Sequence, residues 1–408
     1  MKPGQHEAEI SFNHIGSLQA SQSSADWLCY NPPMGRREWL SGAVALMLVA
    51  GALTPLEGQR RKKKAEEEPP TQVLEQLPEP PAVVVADSTR LAFHLAPLSA
   101  RGLLSRQVRD GIREIARQAR GNAIVKLRAF VAGTGDLRRV QTIVSEEFAE
   151  KRVSLPALSV IQVGALPMEG AQVLLEAVSA DRKTVNPGGL AFIAGQVATS
   201  EEASVTVGAM VRKSVAQIGA ALRGVSLGAK DVMRVTCFVS SLDDHAASAQ
   251  AVASEFPQAP ATFVQLQRIP ANPLSECEAV ARLNEAPGNA VKLVNPEGLT
   301  VSPNYSQVAL VGPGRIAMTG AQMAFGAKEE DVRLAFQRME KTLDTVKTSQ
   351  KNVFMTNYYP LSQRAAEMIR KVRFDFVDKA KPPASTLLLF EGLPSLDASL
   401  SIEVLALV

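Results

Sequence analysis

Residues 381–408 read KPPASTLLLFEGLPSLDASLSIEVLALV. Two short apolar runs, Thr386 to Phe390 and Leu400 to Val408, flank a turn at Leu393-Pro394. Runs of this length, bounded by Pro and Gly, predict paired strands. The same order stands twice upstream. Pro156-Ala157, Leu166-Pro167 and Glu176 form one set, Pro260-Ala261, Ile269-Pro270 and Glu278 a second, and Pro383-Ala384, Leu393-Pro394 and Glu403 the third. From the Pro to the Glu the distances are 20, 18 and 20 residues. Three occurrences of Pro-Ala, strand, Leu/Ile-Pro, strand with Glu mark an internal repeat.

Each ending is preceded by the same series of patterns. In the first, Leu104, Val108, Ile112, Ile115 and Ala119 share one helix face. Val125, Leu127, Ala129 and Val131 then alternate with Lys126, Arg128 and Phe130, as in a strand with one buried face. Leu137, Val140, Val144 and Phe148 set a second helix, with Thr134 or Asp136 as its cap. Met233 to Val239 and Val353 to Tyr359 repeat the central strand. The expected order is ββαβαββ, three times over, an α+β fold.

The endings resemble those of the Rid family (reactive intermediate deaminases, the YjgF-like group, also called endoribonuclease L-PSP), which close on Pro-x-Arg-Ser, a strand, Leu-Pro and a strand with Val-Glu-Ile-Glu-Ala. Asn295-Pro296-Glu297-Gly298, Tyr305-Ser306-Gln307 and Met318-Thr319-Gly320 resemble the family's opening segment and Ser-Gly-Gln strand. The resemblance implies chorismate-mutase-like domains at 83–181, 184–284 and 291–408. Family members assemble as homotrimers, so three units in one chain imply an intrachain pseudo-trimer that is monomeric as a chain. Linking the units makes their docking intramolecular.

The resemblance also implies ligand clefts between neighbouring units. There an Arg grips the carboxylate of a 2-imino acid, and a last-strand Glu positions the water that releases ammonia and a 2-keto acid. The Arg position is Leu158, Thr262 and Ser385 here. None offers the planar, charged fork that holds a carboxylate. Glu176, Glu278 and Glu403 keep a carboxylate late in the strand. Each is either a water-orienting base or the partner of a basic or backbone group. The third unit is expected to keep a cleft, with Glu403 and Ser385 as catalytic candidates and Tyr305, Thr319, Glu278, Glu176 and Thr262 as ligand-binding ones. Two readings stand: a protein that binds a small 2-imino- or 2-keto-acid-like metabolite or serves in assembly, and a divergent imine hydrolase. Arg268 and Arg282 are either surface ion pairs or substitutes for the lost Arg, and Gly312-Pro313-Gly314 reads as a turn.

Composition narrows the classes. The chain has 408 residues, enough for several domains, and 46% are hydrophobic. A net charge of +3 is too small to argue for nucleic acid. With no His pair and no stripe of basic and aromatic residues, RNA cleavage is not expected. Cys29, Cys237 and Cys277 are too few and too far apart for a disulfide scaffold or a zinc site. Cys237 and Cys277 fall in apolar strands and read as buried thiols, or as a disulfide if the domain is exported. The four His show no ligand pattern, so neither metal nor cofactor is expected.

The front of the chain reads differently. Residues 1–33 are polar and aperiodic. At 34–52, Arg36-Arg37 precedes an apolar run ending Ala50-Gly51-Ala52, the layout of a signal peptide and also of a twin-arginine leader. Cleavage there would leave a periplasmic or extracellular protein. The rival is a membrane anchor over 39–56, with Arg60 to Lys64 following it. Residues 53–82 form a charged, Pro-rich linker.

Overall fold

The computed structural model describes residues 76–408, apart from 134, 203 and 270. The leader and anchor expectations, most of the linker, Cys29 and the candidate cap Thr134 lie outside the described residues. Among those described, no helix is long and apolar enough to cross a membrane.

Three sheets form, each backed by two helices. The first has strands β2 (Leu91–Leu95), β3 (Ala123–Ala132), β4 (Ala157–Val163) and β5 (Val173–Ala180), in the order β2-β5-β3-β4. Helices α1 (Leu104–Gln118) and α2 (Leu137–Glu150) cover it. The apolar face expected for α1 is buried, from Leu104 through Ile115 to Ala119. Asp136 caps α2 by accepting from the Arg138 amide.

The second sheet contains β6 (Leu190–Thr199), β7 (Val232–Val239), β8 (Ala261–Gln265) and β9 (Leu274–Arg282), under α3 (Val207–Gly224) and α4 (His245–Glu255). Strands β10 (Val291–Val294) and β11 (Val308–Val311) extend it, giving the order β10-β11-β6-β9-β7-β8. The third sheet holds β12 (Arg315–Thr319), β13 (Gln322–Phe325), β14 (Val353–Pro360), β15 (Ala384–Leu387) and β16 (Ala398–Leu407), under α5 (Glu329–Asp344) and α6 (Gln363–Val372). Its outer strand is β1 (Val83–Asp87), so the order runs β1-β12-β16-β14-β15, with β13 also on β16.

Two pairings cross the expected divisions of the chain. Strand β1 pairs with β12, not with its sequence neighbour β2. Strand β11, well past Glu278, pairs with β6. Sequence periodicity predicts that a segment is a strand, but not whose edge it will complete.

The sheets also correct the expectation of one buried face. On β3, Leu127, Ala129 and Val131 pack under the helices, yet Lys126, Arg128 and Phe130 are buried too. They face residues of the other two sheets. Along that inner side one apolar cluster joins Leu91, Val178, Phe192, Val280, Met318 and Phe354, and another joins Phe130, Phe238, Tyr359 and Phe390. The polar residues between the clusters are therefore enclosed on both sides.

Cys237 and Cys277 are directly opposite each other on β7 and β9, with Cα atoms 4.1 Å apart, and form a disulfide. The reading as two free thiols is thereby corrected. Spacing in sequence could not show that the strands place the two sulfurs face to face.

Candidate functional site

In an antiparallel pair, directly opposed residues share a face of the sheet. Each of the three expected glutamates is opposed on a central strand: Glu176 by Arg128, Glu278 by Thr236 and Glu403 by Asn357. All three point inward and meet.

Arg128 sits among them. Its Nε and Nη2 donate to Glu176 Oε2 at 2.9 and 2.6 Å, and Nη2 donates to Glu278 Oε1 at 2.9 Å. Lys126 Nζ donates to Glu403 Oε2 at 2.8 Å, to Ser159 Oγ at 2.7 Å and to the Thr319 carbonyl at 2.6 Å. Tyr359 donates its hydroxyl to Glu403 Oε1 at 2.9 Å. Glu278 also accepts from Asn357 and Thr386, each at 2.8 Å, and Glu176 accepts from Thr236 at 2.7 Å. Arg234 approaches Glu176 at 3.5 Å. Three cations thus match three carboxylates.

Burial alone would raise the Glu176 carboxyl, but Arg128 and Arg234 outweigh it and hold the group down at about 2. Burial likewise opposes ionisation of Glu403, and Lys126 and Arg128 keep it below the usual carboxylate range. These are paired, ionised groups. A cavity of about 60 Å3 beside them has apolar walls that include Phe93, Ile316 and Met355.

Two residues earlier on the same faces, the three last strands differ. The positions are Leu174, Glu276 and Ser401, opposite Phe130, Phe238 and Tyr359. Leu174 packs in the aromatic cluster. Ser401 is fully buried, and among the described residues its hydroxyl has no hydrogen-bond partner. Glu276 is 7% exposed, and among the described residues no hydrogen bond holds its carboxylate. Burial, with the Glu278 charge adding to it, pushes the Glu276 carboxyl up to about 8, against the opposing pull of Arg370.

Glu276 lies over Gly195. A Cβ built on that glycine would fall 1.9 Å from Glu276 Oε1, so any side chain there would displace the Glu276 carboxyl from its present position. Tyr305 is close enough that burial and the Glu276 charge raise its phenol. Next to Tyr305, Ser306 bridges to Ala384, the neighbour of Ser385, and donates its hydroxyl to the Pro382 carbonyl at 2.6 Å. Glu276, Gly195 and Tyr305 therefore lie together, with Ser385 close by through the Ser306–Ala384 bridge, where the second and third sheets meet.

The candidates from sequence divide between two places. Glu176, Glu278, Glu403 and Thr319 belong to the enclosed ionic cluster, where Thr319 Oγ1 also accepts from the Val404 amide. Tyr305 and Ser385 lie on the side of Glu276. Thr262 is buried on β8, close enough to Glu176 to help hold its carboxyl down. Arg268 lies in an exposed ion pair with Glu391, and Arg282 donates to Asn186 Oδ1 at 3.1 Å. Sequence reasoning missed Lys126, Arg128, Arg234 and Glu276. For Glu276 a signal was present: Glu276-Cys277-Glu278 carries both glutamates of the Val-Glu-Ile-Glu-Ala ending, whereas the other two sets carry one. Among the described residues no group of His, Cys, Asp and Glu is arranged to hold a metal.

The family described as "Endoribonuclease L-PSP" matches residues 180–283, the stretch that contains β6 to β9. The match is confined to that segment, and it is there that the chain is similar to the family. No curated protein matches the sequence. Among solved structures, a conserved Rid-family protein of unknown function from Yersinia pestis is 16% identical, with 29% of this chain and 100% of that chain covered and a TM-score of 0.26. TdcF from E. coli, solved with bound serine, is 24% identical, with 24% of this chain and 85% of that chain covered and a TM-score of 0.21. A YjgF/YER057c/UK114 family member from Mycobacterium tuberculosis is 18% identical, with 29% and 99% covered and a TM-score of 0.20.

Proposed function

We propose that the chain is a tandem triple Rid-like protein in which three units ring a common axis, and that it binds a small 2-keto-acid-like metabolite in the cleft between its second and third sheets. The observation that carries this reading is Glu276, a buried carboxyl with no hydrogen-bond partner among the described residues, set over a glycine at the boundary of two units. Carboxyls with raised pKa values in clefts are enriched at functional sites. Below pH 8 its proton is available to a ligand carbonyl or imine nitrogen. Arg370, whose charge acts on Glu276, supplies the positive end that Ser385 lacks. Three paired glutamates on corresponding registers support the threefold arrangement. We place the protein outside the cytoplasm, through the leader at 34–52 or the anchor at 39–56, because a buried disulfide fits an oxidising compartment.

The test of binding is calorimetry with 2-ketobutanoate. Binding that weakens at least tenfold in Glu276→Ala and in Arg370→Ala is expected, and unchanged affinity in both removes the cleft from the proposal.

A second reading, a divergent imine deaminase, is favoured by the same Glu276. In it the carboxyl protonates the imine nitrogen, and its carboxylate then takes a proton from the attacking water. Glu403 is less suited to that part, because Lys126, Ser159 and Tyr359 already occupy it. Ammonia release from 2-iminobutanoate generated in situ separates the two. A rate equal to the uncatalysed background leaves the binding reading; an accelerated rate lost in Glu276→Gln establishes the hydrolase. The threefold, single-chain assembly predicts sedimentation as one chain, and a trimer of chains contradicts it.

A further inference from the structure

The first sheet is 4-stranded and each of the others is 6-stranded. The shortfall lies beside β2. In the second sheet the corresponding strand, β6, pairs with the last strand β9 on one side and with β11 on the other. In the third, β12 pairs with β16 and with β1. Strand β2 pairs with β5, and among the described residues no strand takes its outer side. The order of pairing explains this. Strand β11 precedes the third sheet in sequence yet completes the second, and β1 precedes the first yet completes the third. By the same rotation the segment ahead of the second sheet falls to β2, but that segment, residues 181–189, forms no strand.

The outer side of β2 offers the backbone groups that another strand needs. The Asp181 amide donates to the Arg90 carbonyl, and the Ala96 amide to the Leu175 carbonyl. Backbone groups alternate along an antiparallel strand, so Ala92 and His94 also turn theirs toward β5, and Leu91, Phe93 and Leu95 turn theirs outward. Asn186 Nδ2 donates to the Leu91 carbonyl at 2.8 Å and Gln118 Nε2 to that of Leu95 at 3.0 Å. Phe93 stands between these two caps. Sheet edges are commonly protected by charge or proline. The outside strands of the other sheets carry Lys292 on β10 and Asp87 on β1. Strand β2 reads LAFHL, without proline, acid, Lys or Arg, and burial lowers the pKa of His94.

The strands that complete the other sheets show what fits. Phe93 and Phe192 hold the same place, each on its sheet's first strand and in one inner apolar cluster. Ala309 of β11 lies opposite Phe192, and the Ala194 amide donates to the Gln307 carbonyl, so Ala309 turns its own backbone groups toward Phe192. Strand β11 reads VALV and β1 reads VVVAD. Both are antiparallel to the strand they join.

We propose that the outer edge of β2 docks an extended, valine-rich segment of another protein, which adds antiparallel as a further strand with a small residue opposite Phe93. The contact is made chiefly through backbone and is independent of the metabolite reading at Glu276.

The experiment uses the full chain and the fluorescein-labelled peptide KSQVALVK, which carries residues 306–311 between lysines. Anisotropy should show saturable binding. N-methylation of the peptide alanine, whose N–H faces Phe93, should weaken binding by about tenfold or more, and N-methylation of its leucine, whose N–H turns away, by less than about twofold. Hydrogen exchange read by mass spectrometry should slow at residues 91–95. Leu95→Pro removes an outward N–H and none of the bonds to β5, and it should abolish binding. Ala92→Lys serves as a second edge variant, and a thermal melt shows which of the two remains folded. 2-Ketobutanoate affinity should be the same with and without the peptide, so this proposal and the one above fail independently. No saturable binding, equal weakening by the two methylations, slowed exchange at β6 in place of β2, or binding that persists in a folded edge variant overturns the proposal.

Discussion

Arg128 Nη2 donates to Glu278 Oε1 at 2.9 Å, across 150 residues of chain. The donor stands on the central strand of the first sheet, the acceptor on the last strand of the second. The same guanidinium holds Glu176 on its own sheet. Lys126 makes the corresponding link to Glu403 of the third sheet. The three sheets are thus tied by charges at the place where their inner faces meet. The ties are specific because each cation is enclosed and has few other acceptors.

Arg128→Met should be strongly destabilising. It would leave Glu176 and Glu278 buried with part of their compensation gone, and breaking a buried pair on one side typically costs about 3–5 kcal/mol. The double variant Arg128→Met, Glu176→Gln should recover part of that loss, because it removes one of the orphaned charges. Urea melts of the two variants check both statements. A single variant as stable as the wild type would show that the cluster is solvated after all.

Acid should undo the same cluster. The folded Glu176 carboxyl lies at about 2, below its ordinary 4.5. A depressed carboxyl contributes stability above its unfolded value and loses it as pH falls toward the folded one. The melting temperature should fall between pH 4.5 and 2, and Glu176→Gln should flatten that limb. An equally steep limb in the variant would assign the acid response elsewhere.

Much of the fold was legible in periodicity. Leu104 to Ala119 and Leu137 to Phe148 showed their helix faces, and the three Glu endings were found by spacing alone. What stayed hidden was decided between elements distant in sequence. Lys126 and Arg128 looked like the solvent side of an alternating strand, because alternation reports the residues next to a strand and says nothing of a second sheet folding over it. Strand β1 gave no sign that its partner would be β12, more than two hundred residues on. Leu158, Thr262 and Ser385, expected from the resemblance to stand where an arginine would, carry no guanidinium. The cations that pair with the three glutamates, Lys126, Arg128 and Arg234, stand on central strands where no motif marks them.

Glu276 gives a pH response of the opposite sign. Its folded carboxyl is raised to about 8 from 4.5. The folded protein keeps a proton that the unfolded chain gives up, so stability is fullest below pH 4.5 and declines as pH climbs toward 8. Glu276→Gln, which carries no charge, should therefore raise the melting temperature at pH 8 and leave it little changed at pH 4.5. Scanning calorimetry at the two values checks this. A variant less stable at pH 8 would mean that the ionised carboxylate is favourably paired.

The Cys237–Cys277 bond predicts a different kind of dependence. It closes a sequence separation of 40 residues that already meet as β7 and β9. In the chain-entropy account, a loop of that length removes unfolded-state freedom worth about 4 kcal/mol, and measured effects generally run from about 2 to 4. Both sulfurs are buried, so reductant alone should act slowly on the folded protein and quickly once urea opens the sheet. The full chain has three Cys, so a thiol titration in denaturant without reductant should find one. The paired variant Cys237→Ala, Cys277→Ala should unfold at lower urea, with the cleft around Glu276 still able to bind, because the bridge joins strands whose register is set by many backbone hydrogen bonds. Finding three reactive thiols would remove the bridge. It would also remove the argument from the bridge for an oxidising compartment.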